Sequence, residues 1–534
     1  MIPFEALTGP SYTMFSAKAE IEESINVFRE RVETDQGVNP FVLYRSPGLE
    51  CFKQTAAGNT VNGLYPALGK LYAAAGNTLY EYSAASLTAS YNPIVTDARP
   101  AYFAASKDVL LFVSAGHLYR LSAAVLAEVI LDFTPDMVSF INNIFVVLEL
   151  GTSRFRWSED SGATFPADLV QTFEADSNVV VSLEVAGAQL WVIGSRVSQP
   201  YSVGPNPDAP FIANPGGIVM AGTLAPDSVC VLGDSILFID QSGQGSCGVS
   251  MITGFQERKV SNAYIDNILS RLGRVSQIAD AIGCALEING HELYRITFPA
   301  ADITLEYHKT LNEWEKLEWL DWEAGQTHRH RGFSYASAFG KVYCGDRDNG
   351  WIYICGLDVF YDYGFPIRSV RRTPHIIENN QRIAVNRLEL GIQVAVGLSP
   401  PLWLNDYSLS AATFAANLAT AVAAGDMTAG QALVLQSIYD VEPYTPLDPY
   451  PFDAVMTPLG FYQWGLDPQI SMRSGDGNTY GNLRARSMGA SGAYRTQVFW
   501  DRCGAETDFV FELSTAEPVK LAITNGYLDV AEML

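Results

Sequence analysis

At 534 residues, with hydrophobic residues at 48%, aromatics at 12% and charged residues at 17%, the chain can fill two or three cores, and global disorder is excluded. Its 58 Asp+Glu against 34 Lys+Arg give a formal charge of -24, which opposes phosphate-driven nucleic-acid binding and adhesion to anionic membranes. No apolar run approaches the roughly 18 residues of a membrane span, and the amino terminus MIPFEALTGPSY lacks a secretory pattern, so no membrane anchor is expected.

Residues 1–55 carry Pro10, Pro40 and Pro47-Gly48 with little periodicity, and are expected to form an extended arm that drapes over a neighbour. From about residue 65 to 365 one pattern recurs: a short apolar strand, a Gly/Asn/Asp turn, then a strand carrying Tyr or Trp. It reads GKLYAAAGNTLYEY, DVLLFVSAGHLYRL, IFVVLELGTSRFRW, AQLWVIGSRVSQPYSV, SILFIDQSGQGSCGVSMI, HELYRITFPAADITLEYH and KVYCGDRDNGWIYI. About seven such units at roughly 35 to 57 residue intervals fit the blades of a propeller. A lone hairpin cannot bury both faces, whereas small sheets set around an axis bury theirs against one another. The fold class is therefore mainly β, with a β-propeller-like body over residues 56–365.

Within this region SNAYIDNILSRLG predicts one helix, capped by Ser261 or Asn262, with an apolar stripe of Ile265, Ile268, Leu269 and Leu272 and a stop at Gly273. After Pro366 the texture changes. Residues 366–397 and 467–534 read as strands of a C-terminal β-sandwich, and residues 398–466 as an Ala-rich helical insertion, with two helices broken at Gly425-Asp426. The seven cysteines are too sparse for a disulfide framework, and reduced thiols made in a cytoplasm are the simpler expectation.

The stretch RFRWSEDSGATF places Ser158, Asp160, Gly162, Thr164 and Phe165 in an Asp-box, a pattern shared with sialidase propellers. The motif has a mechanical explanation: Asp160 accepts backbone N–H bonds across its own turn, Gly162 permits an unusual backbone angle, and Thr164 and Phe165 start the returning strand. RSGDGNTYGNL sets Ser474, Asp476, Thr479 and Tyr480 in a comparable hairpin. Gly243, Gly245 and Gly248 spell G-x-G-x-x-G, but a strand follows where a dinucleotide site needs a helix, so a hairpin turn is expected. His328 and His330, two apart on a strand, could open a metal site but have no third ligand nearby in sequence. Arg368, Arg371 and Arg372 concentrate positive charge, as a solvated linker, a salt-bridged contact to an acidic neighbour, or a contact to DNA phosphate. No catalytic group, cofactor site or metal site is singled out, and the spaced arginines of a sialidase-like clamp are not recognised.

The order of several stretches resembles the packaged-DNA stabilisation proteins of short-tailed bacteriophages, also called tail hub or head-completion proteins. SINVFRERVE with RSPGLECF, RFRWSEDSGATF, ELYRITFPAADITLEYHKTLNEWEKLEW, FGKVYCGDRDNGWIYICGLDVFYDYGFPIRSVRRTP, NRLELGIQVAVG, SMRSGDGNTYGNLRARSMGASGAYRTQVFWDRCG and PVKLAITNGYLDV carry it over most of the chain. The turn Gly475-Asp476-Gly477-Asn478-Thr479-Tyr480 is shorter than the family's double-Asp, double-Gly form and lacks its Trp.

The resemblance implies a non-enzymatic structural protein of the virion tail, made and assembled in the host bacterial cytoplasm. It would form a homo-oligomeric ring of about six copies below the portal adaptor protein. That ring would extend the DNA channel, let genomic DNA pass without sequence-specific binding, retain the packaged genome, and dock a tail needle or plug and a tailspike or fibre. Contacts are expected in the arm, the insertion and the Arg368–Arg372 linker, with Trp403, Tyr407 and Trp464 as aromatic anchors. The rival readings are an Asp-box glycosidase or depolymerase and a carbohydrate-binding lectin of the virion.

Overall fold

The computed structural model describes residues 1–14, 20–32, 40–56, 59–158, 160–175, 179–241, 247–274, 277–321, 324–363, 365–377, 381–393, 403–405, 411–424, 467–490 and 495–532, with short pieces at 429, 432–433, 436, 455–456, 461–463 and 493. It divides into two compact units: Leu49–Leu317 with Arg329–Val359, and Met1–Gly48 with Glu318–His328 and Phe360–Leu534.

The unit Leu49–Leu317 with Arg329–Val359 is a seven-bladed propeller. Among the described residues its antiparallel strands make seven sheets. Blade 1 begins with Val61–Ala67, blade 2 with Tyr102–Ala105, blade 3 with Pro135–Ile141 and blade 4 with Val180–Ala186. Blade 5 begins with Cys230–Leu232, blade 6 with Ile282–Ile288 and blade 7 with Gly332–Ala338. Each of these first strands touches the next, and that of blade 7 touches that of blade 1, so the set closes into a ring. Blade 7 takes its fourth strand, Gly48–Gln54, from the start of the unit. Pairing the two ends of the unit in one sheet is what holds the ring shut.

Local sequence explains the hairpins. In blade 6 Asn289 and Gly290 have φ of 50° and 83°, and Ile288 pairs directly with His291, so Asn-Gly makes a two-residue turn whose twist matches the flanking strands. Packing explains the stacking. Along Val109–Ser114 of blade 2, Leu110 and Phe112 enter a core shared with Tyr72, Ala74 and Leu79 of blade 1, while Val109, Leu111 and Val113 enter one shared with Val138, Phe145 and Val147 of blade 3. Both faces of the strand are buried, each large side chain contributing about 1.5–3 kcal/mol.

The helix Ala263–Arg274 carries its predicted stripe: Ile265, Ile268, Leu269 and Leu272 are buried in the core shared by blades 5 and 6. Asn262 is the cap, its side chain accepting from the Ile265 amide at 3.0 Å. Close to it in the ring, Gly283 on the first strand of blade 6 lies against the Ser228 carbonyl, which also accepts from the Tyr294 hydroxyl at 2.6 Å; a Cβ at Gly283 would collide with that carbonyl.

The other unit is built on two antiparallel sheets. One runs Val27–Arg31, Phe41–Arg45, Ala522–Glu532, Ile383–Ile392, Val498–Glu506. The second includes Ile21–Ile25, Ser369–Arg372, Val510–Thr515, Gln469–Gly475 and Arg484–Ser487. Leu43, Leu388, Trp500 and Leu528 of the first sheet share a core with Ile470, Met472, Phe511 and Leu513 of the second. This corrects the expected arm: residues 1–48 belong to this body, since Phe4, Leu7, Val27 and Leu43 are buried in its core and Ile2–Pro3 pairs with Tyr527 and Leu528. Residues from Leu49 to 55 are not arm either, because most of them form the closing strand of blade 7. Of the predicted insertion, the helix Ala411–Ala424 ends just before Gly425, with Phe414 and Leu418 buried; the second predicted helix falls largely outside the described residues.

Filling the Gly283 position should strain the ring. Gly283→Ala is expected to cost about 1–3 kcal/mol in a denaturant melt. Gly69→Asn, at a left-handed turn with nothing within 4 Å of its Cβ, should leave the transition in place.

Candidate functional site

The Asp-box sits at the hairpin after Arg154–Ser158 of blade 3, and its polar groups are consumed by the turn itself. Asp160 accepts through Oδ1 from the Ala163 and Thr164 amides at 3.0 and 2.8 Å, and through Oδ2 from the Thr164 hydroxyl at 2.7 Å. Ser158 donates to Asp160 at 2.6 Å and accepts from the Gly162 amide at 2.9 Å. Burial works to raise the Asp160 pKa, but the bonds from Ser158, Thr164 and Ala163 outweigh it and hold the carboxyl below its ordinary range. Gly162 has φ of 77°, and a Cβ there would strike Leu111 of blade 2. Phe165 is buried in the core between blades 2 and 3. The motif ties a turn to a seam; its carboxylate, though on an exposed residue, is engaged by the turn's own donors.

The turn at Asp476, in the other unit, is built alike. Asp476 accepts from the Asn478 and Thr479 amides at 3.0 and 2.7 Å, and from the Thr479 hydroxyl at 3.0 Å. The Thr479 bonds, amide first, then that from Asn478, draw its pKa down. Ser474 donates to the Cys503 carbonyl at 3.1 Å, and Arg473 lies over the Tyr480 ring at 4.5 Å. This turn borders a crevice of about 560 Å³ whose lining includes Asp476, Glu506 and Asp508 and, among the described lining residues, no arginine. Asp508 is engaged with His375 at 2.6 Å. Three carboxylates without a facing guanidinium do not make a clamp for an acidic sugar.

Two of the three arginines of the cluster make ion pairs within the chain. Arg371 is 1% exposed and donates to the Leu7 and Gly9 carbonyls at 2.9 and 3.0 Å and to Ser24 at 3.0 Å, while pairing with Glu22. Arg372 pairs with Glu23 and with Glu512 at 2.8 Å, and Glu512 also accepts from Arg473 at 2.7 Å. The acidic neighbours of Arg371 and Arg372 are therefore in the same chain, with Arg371 buried and Arg372 partly exposed. Arg368 is half-buried, and its carbonyl accepts from Asn26 at 2.8 Å. Tyr407 and Trp464 lie outside the described residues, and of Trp403 only the strand Trp403–Asn405 and its pairing with Phe461–Gln463 are described.

His328 and His330 have separate surroundings. His328 packs against Trp319, with ring centroids 6.0 Å apart. His330 is buried and accepts from the Gly332 amide at 3.0 Å; burial, then the charges of Arg295, Arg329 and Arg331, pushes its pKa well down. Residues 242–246 of the G-x-G-x-x-G stretch lie outside the described residues, but the strands Ser235–Gln241 and Cys247–Thr253 on either side pair antiparallel.

A feature not anticipated from sequence lies on the propeller axis. Arg99, between blades 1 and 2, reaches Asp136 of blade 3 at 2.7 Å and Asp227, just before blade 5, at 3.1 Å. The Tyr102 hydroxyl of blade 2 also donates to Asp227. Blades 2 and 5 are far apart around a ring of seven, so these contacts cross its middle. The sequence signal was only scattered: Arg99 follows Asp97 in a linker, and Asp227 follows a proline.

A family model described as Phage_stabilise, bacteriophage P22 Gp10, beta-propeller, matches residues 15–359. A search of curated proteins finds no match. Similar solved structures include a chain of the S. cerevisiae assembly of Dbp5 with Nup159 and Gle1 (10% identity, TM-score 0.38, covering 58% of this chain and 95% of that chain). YCF48 from Cyanidioschyzon merolae is another (8% identity, TM-score 0.37, 57% of this chain and 98% of that chain). A third is the extracellular domain of the putative one component system BT4673 from B. thetaiotaomicron (10% identity, TM-score 0.38, 58% of this chain and 40% of that chain). These scores are too low to carry a functional reading.

Two substitutions separate turn from anchor. Arg371→Ala leaves Glu22 without its buried partner and should cost about 3–5 kcal/mol, measured by thermal or denaturant unfolding. Asp160→Ala should cost about 1–2 kcal/mol, the worth of a few local bonds. Because the Asp160 pKa is depressed in the folded state, its contribution is present above the unfolded value near 4 and lost as pH falls through the lower folded value. The stability gap between wild type and Asp160→Ala should therefore be full at pH 7 and shrink below about pH 4.

Proposed function

The chain belongs to the phage-stabilisation family described as bacteriophage P22 Gp10, beta-propeller, a family of phage structural proteins, and from that premise we propose that it is a non-enzymatic tail hub, or head-completion factor. In this reading about six copies form a ring below the portal adaptor. The ring extends the DNA channel, retains the packaged genome, and docks a needle or plug and a tailspike or fibre.

The observation that carries the reading is the family match over residues 15–359, which takes in all seven blades. Two physical features support it. With the propeller axis bridged by Arg99, Tyr102 and Asp227, a conduit for DNA has to run between copies, so each propeller serves as a wall. A chain at -24 also repels phosphate, which lets a duplex slide past without adhering. The Asp-box serves the wall as a turn, and a glycosidase role draws no support from Asp160, whose oxygens are taken.

With Arg371 and Arg372 paired within the chain, exposed apolar side chains are the better candidates for contacts between copies. Val125 (65% exposed) and Ile130 (83% exposed) at the outer strand of blade 2, and Met220 (76% exposed) after blade 4, are such positions.

Phage particles assembled without this chain are expected to package DNA and then lose it, giving heads that are empty by electron microscopy and genomes that become sensitive to nuclease. Particles that keep full heads and normal infectivity without the chain would contradict the proposal. A released-sugar assay with purified protein on host surface polysaccharide should stay blank.

A further inference from the structure

The seam between blades 6 and 7 carries a polar layer. On the blade 6 face turned to blade 7, Glu306 stands opposite Arg295 on one side and opposite Glu315 on the other, and His308 lies two residues further along the same strand, hence on the same face. Arg295 reaches across to the Tyr335 hydroxyl of blade 7 at 2.5 Å. All four are buried: Arg295 is 1%, Glu306 0%, Glu315 5% and His308 6% exposed.

Arg295 takes only one oxygen of Glu306, reaching Oε2 from Nε at 2.6 Å and from Nη2 at 2.5 Å. Glu306 Oε1 is buried with no hydrogen-bond partner, which is costly for a carboxylate oxygen. It points toward His308 Nε2 at 3.8 Å, and that nitrogen is 3.3 Å from Glu315 Oε1. An imidazolium held by carboxylates closes to about 2.7–2.9 Å. The longer separations instead suit ligand atoms around one ion: at about 2.0–2.2 Å from a tetrahedral metal, two ligands stand about 3.3–3.6 Å apart. Ligand atoms of all three residues lie within 4.8 Å of one another.

We propose that Glu306, His308 and Glu315 bind a divalent transition-metal ion of the zinc class as a buried structural site in the seam between blades 6 and 7. Imidazole with two carboxylates is a donor set for such an ion, whereas magnesium and calcium favour all-oxygen shells of six or more ligands. The ion occupies the space that Glu306 Oε1 faces, and a second carboxylate oxygen or a water completes the shell. It adds cohesion to a seam rich in polar side chains, beside the blade that closes the ring.

The test uses full-length protein purified without a metal-affinity step. After incubation with zinc and gel filtration, elemental analysis is expected to give about one zinc per chain. The thermal transition should lie about 5 °C higher with zinc than with EDTA. Cobalt in place of zinc should give the strong visible absorption of a tetrahedral site. His308→Gln should lose the cobalt spectrum and the zinc-dependent shift. If that variant does not fold, Glu315→Gln serves the same comparison, and the wild-type zinc and EDTA melts decide by themselves. Identical wild-type melts with and without zinc, or zinc binding that survives both substitutions, would overturn the assignment.

Discussion

The propeller depends on one pairing: Gly48–Gln54, the first strand of its chain segment, lies in the same sheet as Gly332–Ala338, Lys341–Asp346 and Trp351–Gly356, the last ones. A small sheet with apolar side chains on both faces is stable only with a neighbour on each side. Closure supplies that neighbour to the first and last blades at once. Without it, the core joining Val61, Leu71 and Tyr82 of blade 1 to Ala336, Tyr343 and Ile352 of blade 7 would face water.

Closure also explains the motifs that look like chemistry. In a ring every turn lies near a seam, and the Asp-box supplies a compact turn whose Phe165 packs between blades 2 and 3 while Asp160 satisfies its amides. The same economy governs the unit Met1–Gly48 with Glu318–His328 and Phe360–Leu534, where Arg371 gathers the carbonyls of Leu7 and Gly9 and the Glu22 carboxylate around one buried guanidinium. A buried arginine with several acceptors fixes how a segment folds back on its own body. Asp160 and Arg371, which stand out as candidate site residues in sequence, are internal fasteners in the fold.

How far the sequence reveals this follows from what is local. Blades are legible because their hairpins are local events: Asn289-Gly290 and the Tyr- and Trp-bearing strands mark them without tertiary information. Alternation within strands is less useful, because a blade between two others buries both faces; Leu293 to Phe298 are all buried, with Arg295 and Thr297 hidden in a polar seam. Residues 1–48 read as an arm because prolines break their strands into short pieces, and the partners of those pieces, such as Ser369–Arg372 and Ala522–Glu532, lie more than 300 residues away. The Arg371 environment and the axial contacts of Arg99 with Asp136 and Asp227 are non-local in the same way. For Glu306, His308 and Glu315 the signal was nearer: two ligand types at spacing two, then a hairpin turn that brings Glu315 directly opposite Glu306.

If these propellers are the walls of a tail ring, they must be present in the particle in fixed number. Quantitative mass spectrometry of purified virions against an internal portal standard measures that directly. The account predicts about six copies of this chain per particle, retained through gradient purification. A chain that washes off, or that is absent from infectious particles, would contradict it.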